Sequence, residues 1–193
     1  MELRDQVVVI TGGGNGIGAA MARRFAQEGA AAIVVADLDG DAAATVADEI
    51  GGLALVCDVG DTSAVDDTVT RADAELGGLS GLVNNAGMSP VYDHVSNVTE
   101  ALYDKVLDVN LTGPFRLTSV VGTRMAAGEG GSIIMVSSTA SQHPGANVIP
   151  YAAAKAGVNA MTVGFARHFA PKVRVNCIVP GPFLTDISKA WDM

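Results

Sequence analysis

Short apolar runs alternate along this chain with longer segments of helical pattern, and this alternation constrains its fold more than any other feature. The runs, rich in Val and Ile, lie at about residues 7–11, 32–36, 53–57, 80–84, 132–137 and 173–178. The helical segments lie at about 16–29, 41–50, 62–77, 99–127 and 151–170. Because helices separate the strands, consecutive strands should run parallel with right-handed crossovers. Runs that are apolar throughout predict strands buried on both faces. The pattern therefore predicts a doubly wound α/β sheet, the Rossmann architecture.

Capping residues at the segment ends support this division. Asp41 and Thr99 can accept hydrogen bonds from first-turn amides as N-caps, and Gly29 and Gly51 can end helices. The chain shows no repeat, linker or low-complexity tract. We therefore expect residues 1–193 to form a single domain.

Charge and composition exclude several classes of function. The net charge is −9 and only 12 basic residues are present, scattered along the chain, which argues against a nucleic-acid partner. The apolar runs are too short to span a bilayer, and a strand begins almost at the N-terminus, so we expect no signal peptide and a cytoplasmic protein. Cys57 and Cys177 lie far apart in the sequence, which predicts reduced thiols with no metal site or disulfide framework.

A glycine-rich segment follows the first strand and opens the first helix. Residues 11–18 read Thr-Gly-Gly-Gly-Asn-Gly-Ile-Gly. Glycines allow a tight turn and close approach to a pyrophosphate, and the helix start offers free N–H groups and a positive dipole end. This context predicts a dinucleotide site.

Acidic residues at strand ends refine the nucleotide prediction. Asp37 ends the second strand, where its carboxylate can accept hydrogen bonds from both adenosine ribose hydroxyls and would repel a 2′-phosphate. No Arg or Lys lies in the glycine loop and Leu38 follows Asp37, so NAD is favoured over NADP. Asp58, with the backbone of Val59, is a candidate for contact with the adenine amino group; alternatively, Asp58 caps its own loop.

Tyr151 and Lys155 are four residues apart on a predicted helix and therefore share one face. A free tyrosine has a pKa of about 10, and a nearby lysine cation would favour the phenolate, as would the positive nicotinamide of an oxidised cofactor. Ser138 lies 13 residues upstream of Tyr151, at the carboxyl end of the fifth strand. This set suits proton exchange with a substrate oxygen.

Together with Asn84-Asn85-Ala86-Gly87 and Pro180-Gly181, these motifs resemble the short-chain dehydrogenase/reductase family over essentially the whole chain. The resemblance implies that Tyr151 is the general acid/base, that Ser138 holds the substrate oxygen and that Lys155 binds the nicotinamide ribose. It also implies that Asn110 holds a relay water and that Thr185 contacts the nicotinamide carboxamide. The cofactor-binding residues expected from motifs and resemblance are Gly12, Asn15, Gly16, Ile17, Gly18, Asp37, Asp58, Val59, Asn85, Ala86, Gly87, Tyr151, Lys155, Pro180, Gly181 and Thr185.

The resemblance implies an enzyme that uses NAD(H) to interconvert a secondary alcohol and a ketone. Two alternatives remain open: a 3-oxoacyl-thioester reductase, against which Asp37 weighs, and a nucleotide-binding subunit without turnover, against which the complete catalytic set weighs. Because the family is commonly tetrameric through its two long helices, here 99–127 and 151–170, we expect a homo-oligomer, a dimer or a tetramer.

Two further expectations concern the backbone. Relatives continue past Thr185 with a lid and a last strand, and we expect this C-terminal part of the family fold to be absent here. The sheet should then have six parallel strands, and residues 183–193 should have little to pack against. Pro114 cannot donate a hydrogen bond to the Asn110 carbonyl, so we expect a helix kink that frees this carbonyl for the relay water.

Overall fold

A computed structural model describes residues 2–183, which contain one parallel sheet with helices on both faces. The strands are β1 (Val7–Thr11), β2 (Ala32–Asp37), β3 (Leu53–Val56), β4 (Gly81–Asn84), β5 (Gly131–Val136) and β6 (Val173–Ile178). The helices are α1 (Gly16–Gln27), α2 (Gly40–Ile50), α3 (Thr62–Leu76), α4 (Glu100–Leu107), α5 (Gly113–Ala127) and α6 (Ile149–Phe169). Short 3₁₀ turns lie at Val95–Asn97 and Thr139–Ser141, and a π-helical turn lies at Asp108–Thr112.

The order of the strands places a crevice at the centre of the sheet. The order is β3-β2-β1-β4-β5-β6, and every neighbouring pair is parallel. The chain builds outward from β1 to β3 and then returns to place β4 beside β1. At this reversal the loops that leave β1 and β4 turn to opposite faces of the sheet, which opens a crevice at the carboxyl ends of the strands. The prediction of a doubly wound sheet is confirmed.

Alternate residues of the central strand pack into two separate layers. Val9 of β1 is fully buried in the cluster that contains Leu117 and Val121 of α5. Its neighbours Val8 and Ile10 belong to the cluster on the other face. Both faces of β1 therefore contribute to the core, which explains why its sequence is apolar throughout.

The structure corrects one predicted cap and confirms another. Helix α2 is capped by Asp39, not by Asp41: Asp39 Oδ1 accepts hydrogen bonds from the amides of Asp41 and Ala42, both at 3.1 Å. Asp41 lies instead in the first turn, because the helix already begins at Gly40. Thr99 caps α4 as expected, since its Oγ1 accepts a hydrogen bond from the Leu102 amide at 3.2 Å.

The segment predicted as one helix over residues 99–127 is interrupted. Helix α4 ends at Leu107, and α5 begins at Gly113, whose N–H donates to the Asp108 carbonyl five residues earlier. Pro114 lies in the first turn of α5, where its missing N–H costs nothing. Near Pro114 the helical backbone continues through a π turn at Asp108–Thr112, and the expected kink stays a prediction. The free Asn110 carbonyl stays a prediction.

Further observations concern membrane-spanning helices, metal sites and cysteines in the described residues. None of the described helices is long and apolar enough to cross a membrane. Within residues 2–183, no group of three or more His, Cys, Asp or Glu is placed to hold a metal ion, and Cys57 and Cys177 are free thiols. Thr185 and the expected weak packing of residues 184–193 lie outside the described residues.

Candidate active site

A cleft of about 400 Å³ lies at the carboxyl ends of the strands, where the reversal in strand order opens the sheet. The loops after all six strands contribute to it. The predicted site residues that line it are Gly12, Asn15, Gly16, Ile17, Asp37, Asp58, Val59, Asn85, Ala86, Gly87, Ser138, Tyr151, Lys155, Pro180 and Gly181. The structure therefore brings together residues from both halves of the chain that the motifs had indicated separately.

The glycine loop is braced against the end of β4. Asn85 Nδ2 donates to the carbonyls of Thr11 at 3.0 Å and Gly12 at 2.9 Å, while Thr11 Oγ1 accepts hydrogen bonds from the amides of Asn85 and Ala86. Gly12 has φ of +62°, and a Cβ there would lie 2.8 Å from Ala86 Cα. Glycine is therefore required at position 12 both by conformation and by space.

Gly18 supports the loop from behind and does not line the cleft. A Cβ at this position would lie 2.1 Å from the Gly12 carbonyl oxygen and 2.6 Å from Asn85 Nδ2. Gly18 therefore allows α1 to pack closely against the loop, and its role in cofactor binding stays a prediction.

The start of α1 is suited to an anion. The N-cap residue Asn15 makes no side-chain hydrogen bond to the helix, and the first turn contains no acidic residue. Gly16 and Ile17 of this turn line the cleft. Unsatisfied first-turn amides at a helix N-terminus favour a phosphate group, so the residues present fit the pyrophosphate of a dinucleotide.

The Asp37 carboxylate is fixed at the rim of the cleft by backbone amides. Its Oδ2 accepts a hydrogen bond from the Gly14 amide at 2.9 Å, and its Oδ1 accepts one from the Asp39 amide at 3.1 Å. Each carboxylate oxygen retains a further acceptor position for a ribose hydroxyl. This geometry fits the predicted role of Asp37.

Asp58 caps its own loop, one of the two interpretations that the sequence left open, and its contact with adenine stays a prediction. Its Oδ1 accepts a hydrogen bond from the Gly60 amide at 2.8 Å, so it caps its own loop, yet it also lines the cleft. Its Oδ2 accepts a hydrogen bond from Lys105 Nζ at 2.9 Å. This interaction with Lys105 is the largest of those that hold the pKa of Asp58 below its usual value.

Sequence reasoning missed three cleft residues with polar or reactive side chains: Cys57, Ser137 and the charged Lys105. Lys105 lies on α4 and lines the cleft beside Asp58. The sequence offers little signal for it, because a lysine on a helix is an ordinary surface residue and its partner is 47 positions away. Apart from Leu38, which the sequence had singled out beside Asp37, the apolar residues that line the cleft were also missed. They are Met88, Val109, Val136 and Phe183.

Lys155 and Tyr151 lie in the buried part of the cleft. Lys155 is 3% exposed, its Nζ donates to the Val136 carbonyl at 2.8 Å, and it lies 5.6 Å from the centre of the Tyr151 ring. Burial lowers the pKa of Lys155 to about 8. The ammonium form therefore still predominates at neutral pH.

Burial raises the pKa of Tyr151 above its ordinary value, and hydrogen bonding with the Ser138 hydroxyl opposes this increase. From the sequence, a lysine cation is expected to lower the pKa of this phenol. In the protein by itself the net direction is the opposite, because removing the phenolate from water outweighs the opposing interaction. The positive charge of an oxidised nicotinamide, which the sequence argument also invoked, would act in the lowering direction.

Asn110 is fully buried behind the wall of the cleft. Its Nδ2 donates to the carbonyls of Met88 at 2.8 Å and Val106 at 2.9 Å, and its Oδ1 accepts a hydrogen bond from the Met88 amide at 3.3 Å. A Cβ at Gly87 would lie 2.8 Å from Asn110 Oδ1 and 3.5 Å from Lys155 Nζ. The Asn110 side chain thus anchors the segment after β4, and its role toward a relay water stays a prediction.

Comparisons with known proteins match nearly the whole chain to one family. The family model described as short chain dehydrogenase matches residues 6–193. Dehydrogenase/reductase SDR family member 4 of Sus scrofa is 35% identical over 192 residues, which cover 97% of this chain and 69% of the relative. Galactitol 2-dehydrogenase of Agrobacterium fabrum is 38% identical over 188 residues, covering 94% and 72%.

The solved structures extend this agreement to three dimensions. The 3-ketoacyl-(acyl-carrier-protein) reductase of Brucella melitensis, in complex with NADH, superposes with a TM-score of 0.93 at 33% identity over 97% of this chain and 80% of that one. Levodione reductase superposes with a TM-score of 0.92 at 31% identity over 97% and 76%. Because the family model matches nearly the whole chain and the fold superposes on solved members, the chain belongs to the short-chain dehydrogenase/reductase family of oxidoreductases.

Proposed function

We propose that the protein transfers a hydride between NAD(H) and a secondary alcohol or ketone, with Tyr151 as the general acid/base. The observation that carries this proposal is that one cleft is lined by both the glycine loop with Asp37 and the group Ser138, Tyr151 and Lys155. The nicotinamide cofactor would supply or accept the hydride, and the protein's residues would bind, orient and exchange the proton.

Tyr151 is suited to the proton transfer. In reduction its hydroxyl donates a proton to the substrate oxygen, and the buried phenol is in the protonated form that this step needs. In oxidation the phenolate accepts the proton from the alcohol, so this direction should become faster as pH rises toward the pKa of Tyr151. Ser138 would hydrogen-bond the substrate oxygen and hold it near the phenol.

Lys155 and Asp37 would hold the two ribose groups. The Lys155 ammonium would donate to the nicotinamide ribose hydroxyls, and the Asp37 carboxylate would accept hydrogen bonds from the adenosine ribose hydroxyls. The Asp37 carboxylate, which the Gly14 amide holds in place, would repel a 2′-phosphate, and its neighbour Leu38 offers no positive charge to offset this repulsion. NADH in the complex of the Brucella melitensis reductase supports the choice of NAD(H).

A second candidate is reduction of a 3-oxoacyl thioester, which the similarity to the Brucella melitensis 3-ketoacyl-(acyl-carrier-protein) reductase favours. The third interpretation, nucleotide binding without turnover, is opposed by the presence of Ser138, Tyr151 and Lys155 in one cleft. A panel of ketones, secondary alcohols and 3-oxoacyl thioesters, assayed by nicotinamide absorbance, separates the three. Turnover only with thioesters favours the second candidate, and cofactor binding without any turnover favours the third.

Cofactor choice is tested separately by titration with NADH and NADPH. We expect NADH to bind at least about tenfold more tightly, equivalent to about 1.4 kcal/mol. Equal or reversed affinities would contradict the role of Asp37.

The assembly and location complete the proposal. Apolar side chains on α4, α5 and α6 are exposed: Tyr103 at 43%, Phe115 at 50% and Val163 at 52%. Burial of these side chains between copies of the chain would support a homo-oligomer, a dimer or a tetramer. We also propose a small-molecule substrate and, because the net charge is −9, no nucleic-acid partner. Light scattering measures the assembly. We also propose a cytoplasmic location, which cell fractionation tests.

A further inference from the structure

The loop that follows β3 forms one wall of the cleft and is held by two cations from other elements. Lys105 of α4 donates to Asp58 Oδ2 at 2.9 Å, and Arg116 of α5 donates to the Gly60 carbonyl at 3.0 Å. Within the loop, the Gly60 amide donates to Asp58 Oδ1 at 2.8 Å. The carboxylate of Asp58 is therefore fixed at both oxygens, one from its own loop and one from Lys105.

The position of Lys105 is better suited to orienting Asp58 than to stabilising the fold. The Lys105 side chain is 47% exposed and that of Asp58 is 32% exposed. Ion pairs at this exposure contribute little to folding stability. Both residues line the cleft, however, and there the orientation of the Asp58 carboxylate decides from which ligand group it can accept a hydrogen bond.

We infer that Lys105 is a positioning residue that orients the Asp58 carboxylate to accept a hydrogen bond from the exocyclic amino group of the cofactor's adenine. This inference rests on the proposed binding of NAD(H). With one acceptor position on each oxygen occupied, one position on each oxygen remains for the ligand. Lys105 thereby fixes which acceptor positions face the base.

The chemistry of the pair predicts discrimination between bases. An ionised carboxylate only accepts hydrogen bonds, so it attracts an amino group and repels a carbonyl oxygen at the same position. The pKa of Asp58 lies below its usual value, chiefly because of Lys105, so at neutral pH the carboxylate is in this acceptor-only form. Asp58 should therefore favour adenine over hypoxanthine, and this preference should depend on Lys105.

Binding titrations with three probes test the inference: NADH, reduced nicotinamide hypoxanthine dinucleotide, and reduced nicotinamide mononucleotide, which lacks the adenosine half. We expect the protein to bind NADH about tenfold more tightly than the hypoxanthine analogue, the value of one charge-assisted hydrogen bond. Lys105→Met should reduce this preference about fivefold, because Asp58 is no longer held. The affinity for the mononucleotide should not change, and Lys105→Arg should restore the preference.

Two comparison variants separate orientation from general effects. Arg116→Met removes the hydrogen bond to the Gly60 carbonyl but leaves in place both groups that donate to the Asp58 carboxylate, Lys105 and the Gly60 amide, so it should retain the preference for adenine. Lys172→Met removes one positive charge at an exposed site, where among residues 2–183 its Nζ donates to the Gly128 carbonyl alone. This variant should bind all three probes as the unsubstituted protein does.

The outcomes distinguish this inference from the proposed function. If the unsubstituted protein binds none of the probes, the proposed function fails. If it binds NADH but Lys105→Met weakens all three probes by the same factor, Lys105 acts only through its charge and the inference is overturned. The inference is also overturned if Arg116→Met reduces the adenine preference as much as Lys105→Met does, since the loop position alone would then set it.

Discussion

Replacing Lys155 with methionine should change how the stability of the cofactor-free protein depends on pH. Methionine has a similar length, fits the same buried space and cannot be charged. In the folded protein, burial lowers the pKa of Lys155 to about 8 from its ordinary value of 10.5. Between these two values the unfolded chain binds more protons than the folded one, so folding stability contributed by this group rises with pH.

The magnitude follows from the two pKa values. At 1.36 kcal/mol per pH unit, the lowered pKa of Lys155 costs the folded state about 3 kcal/mol at pH 7, where the buried side chain is charged. At pH 9.5 the cost is about 1.4 kcal/mol, because the side chain is then neutral in the folded protein but still largely charged in the unfolded chain. The free energy of unfolding of the unsubstituted protein, relative to Lys155→Met, should therefore rise by about 2 kcal/mol between these two conditions. The lost hydrogen bond to the Val136 carbonyl adds an offset that does not depend on pH.

Urea unfolding followed by circular dichroism at several pH values measures this difference. The control is Lys172→Met, an exposed lysine whose removal should leave the difference flat across the same range. A difference for Lys155→Met that is equally flat would refute the reasoning, because it would mean that water reaches the ammonium and that burial does not penalise its charge.

Three further outcomes follow from the site and its supports. Tyr151→Phe keeps the ring but removes the proton donor, so kcat should fall by about two orders of magnitude or more while the Kd for NADH measured by titration stays nearly constant; an active variant would show that another group transfers the proton. Gly18→Ala should destabilise the protein by more than about 3 kcal/mol in urea unfolding, because its Cβ would lie 2.1 Å from the Gly12 carbonyl oxygen. The matched Gly29→Ala, with φ of +85° and nothing within 4 Å, should cost only about 1 kcal/mol of backbone strain, and equal losses for the two variants would contradict the packing argument.

Local pattern was sufficient to predict the sheet and much of the candidate site. The apolar runs gave the strands within a residue or two. In the central strand Val7–Thr11, burial on both faces requires an apolar residue at nearly every position, whereas the edge strand Val173–Ile178 alternates buried and exposed residues. The glycine segment and the Tyr151–Lys155 spacing are equally local: one needs a turn without side chains, and the other needs two residues one helical turn apart. Each of these constraints acts within a few neighbouring residues, and the sequence therefore displays it.

Only the tertiary structure decided the features that depend on packing between distant segments. The bond between Asp58 and Lys105 joins residues 47 positions apart, and neither residue alone indicates the other. The raised pKa of Tyr151 and the lowered pKa of Lys155 are both dominated by burial. Burial is set by how α6 packs against the strands, whereas sequence spacing shows only that the two side chains share a face.

The same distinction holds for the segment around Asn110. The sequence predicted a helix kink near Pro114, whereas the π turn observed at Asp108–Thr112 depends on what packs around it. A Cβ at Gly113 would lie 2.5 Å from the Val59 carbonyl oxygen, so the turn is pressed against the loop after β3. Such contacts arise only when segments far apart in the chain meet, because close packing is a property of the assembled core and not of any one stretch of sequence.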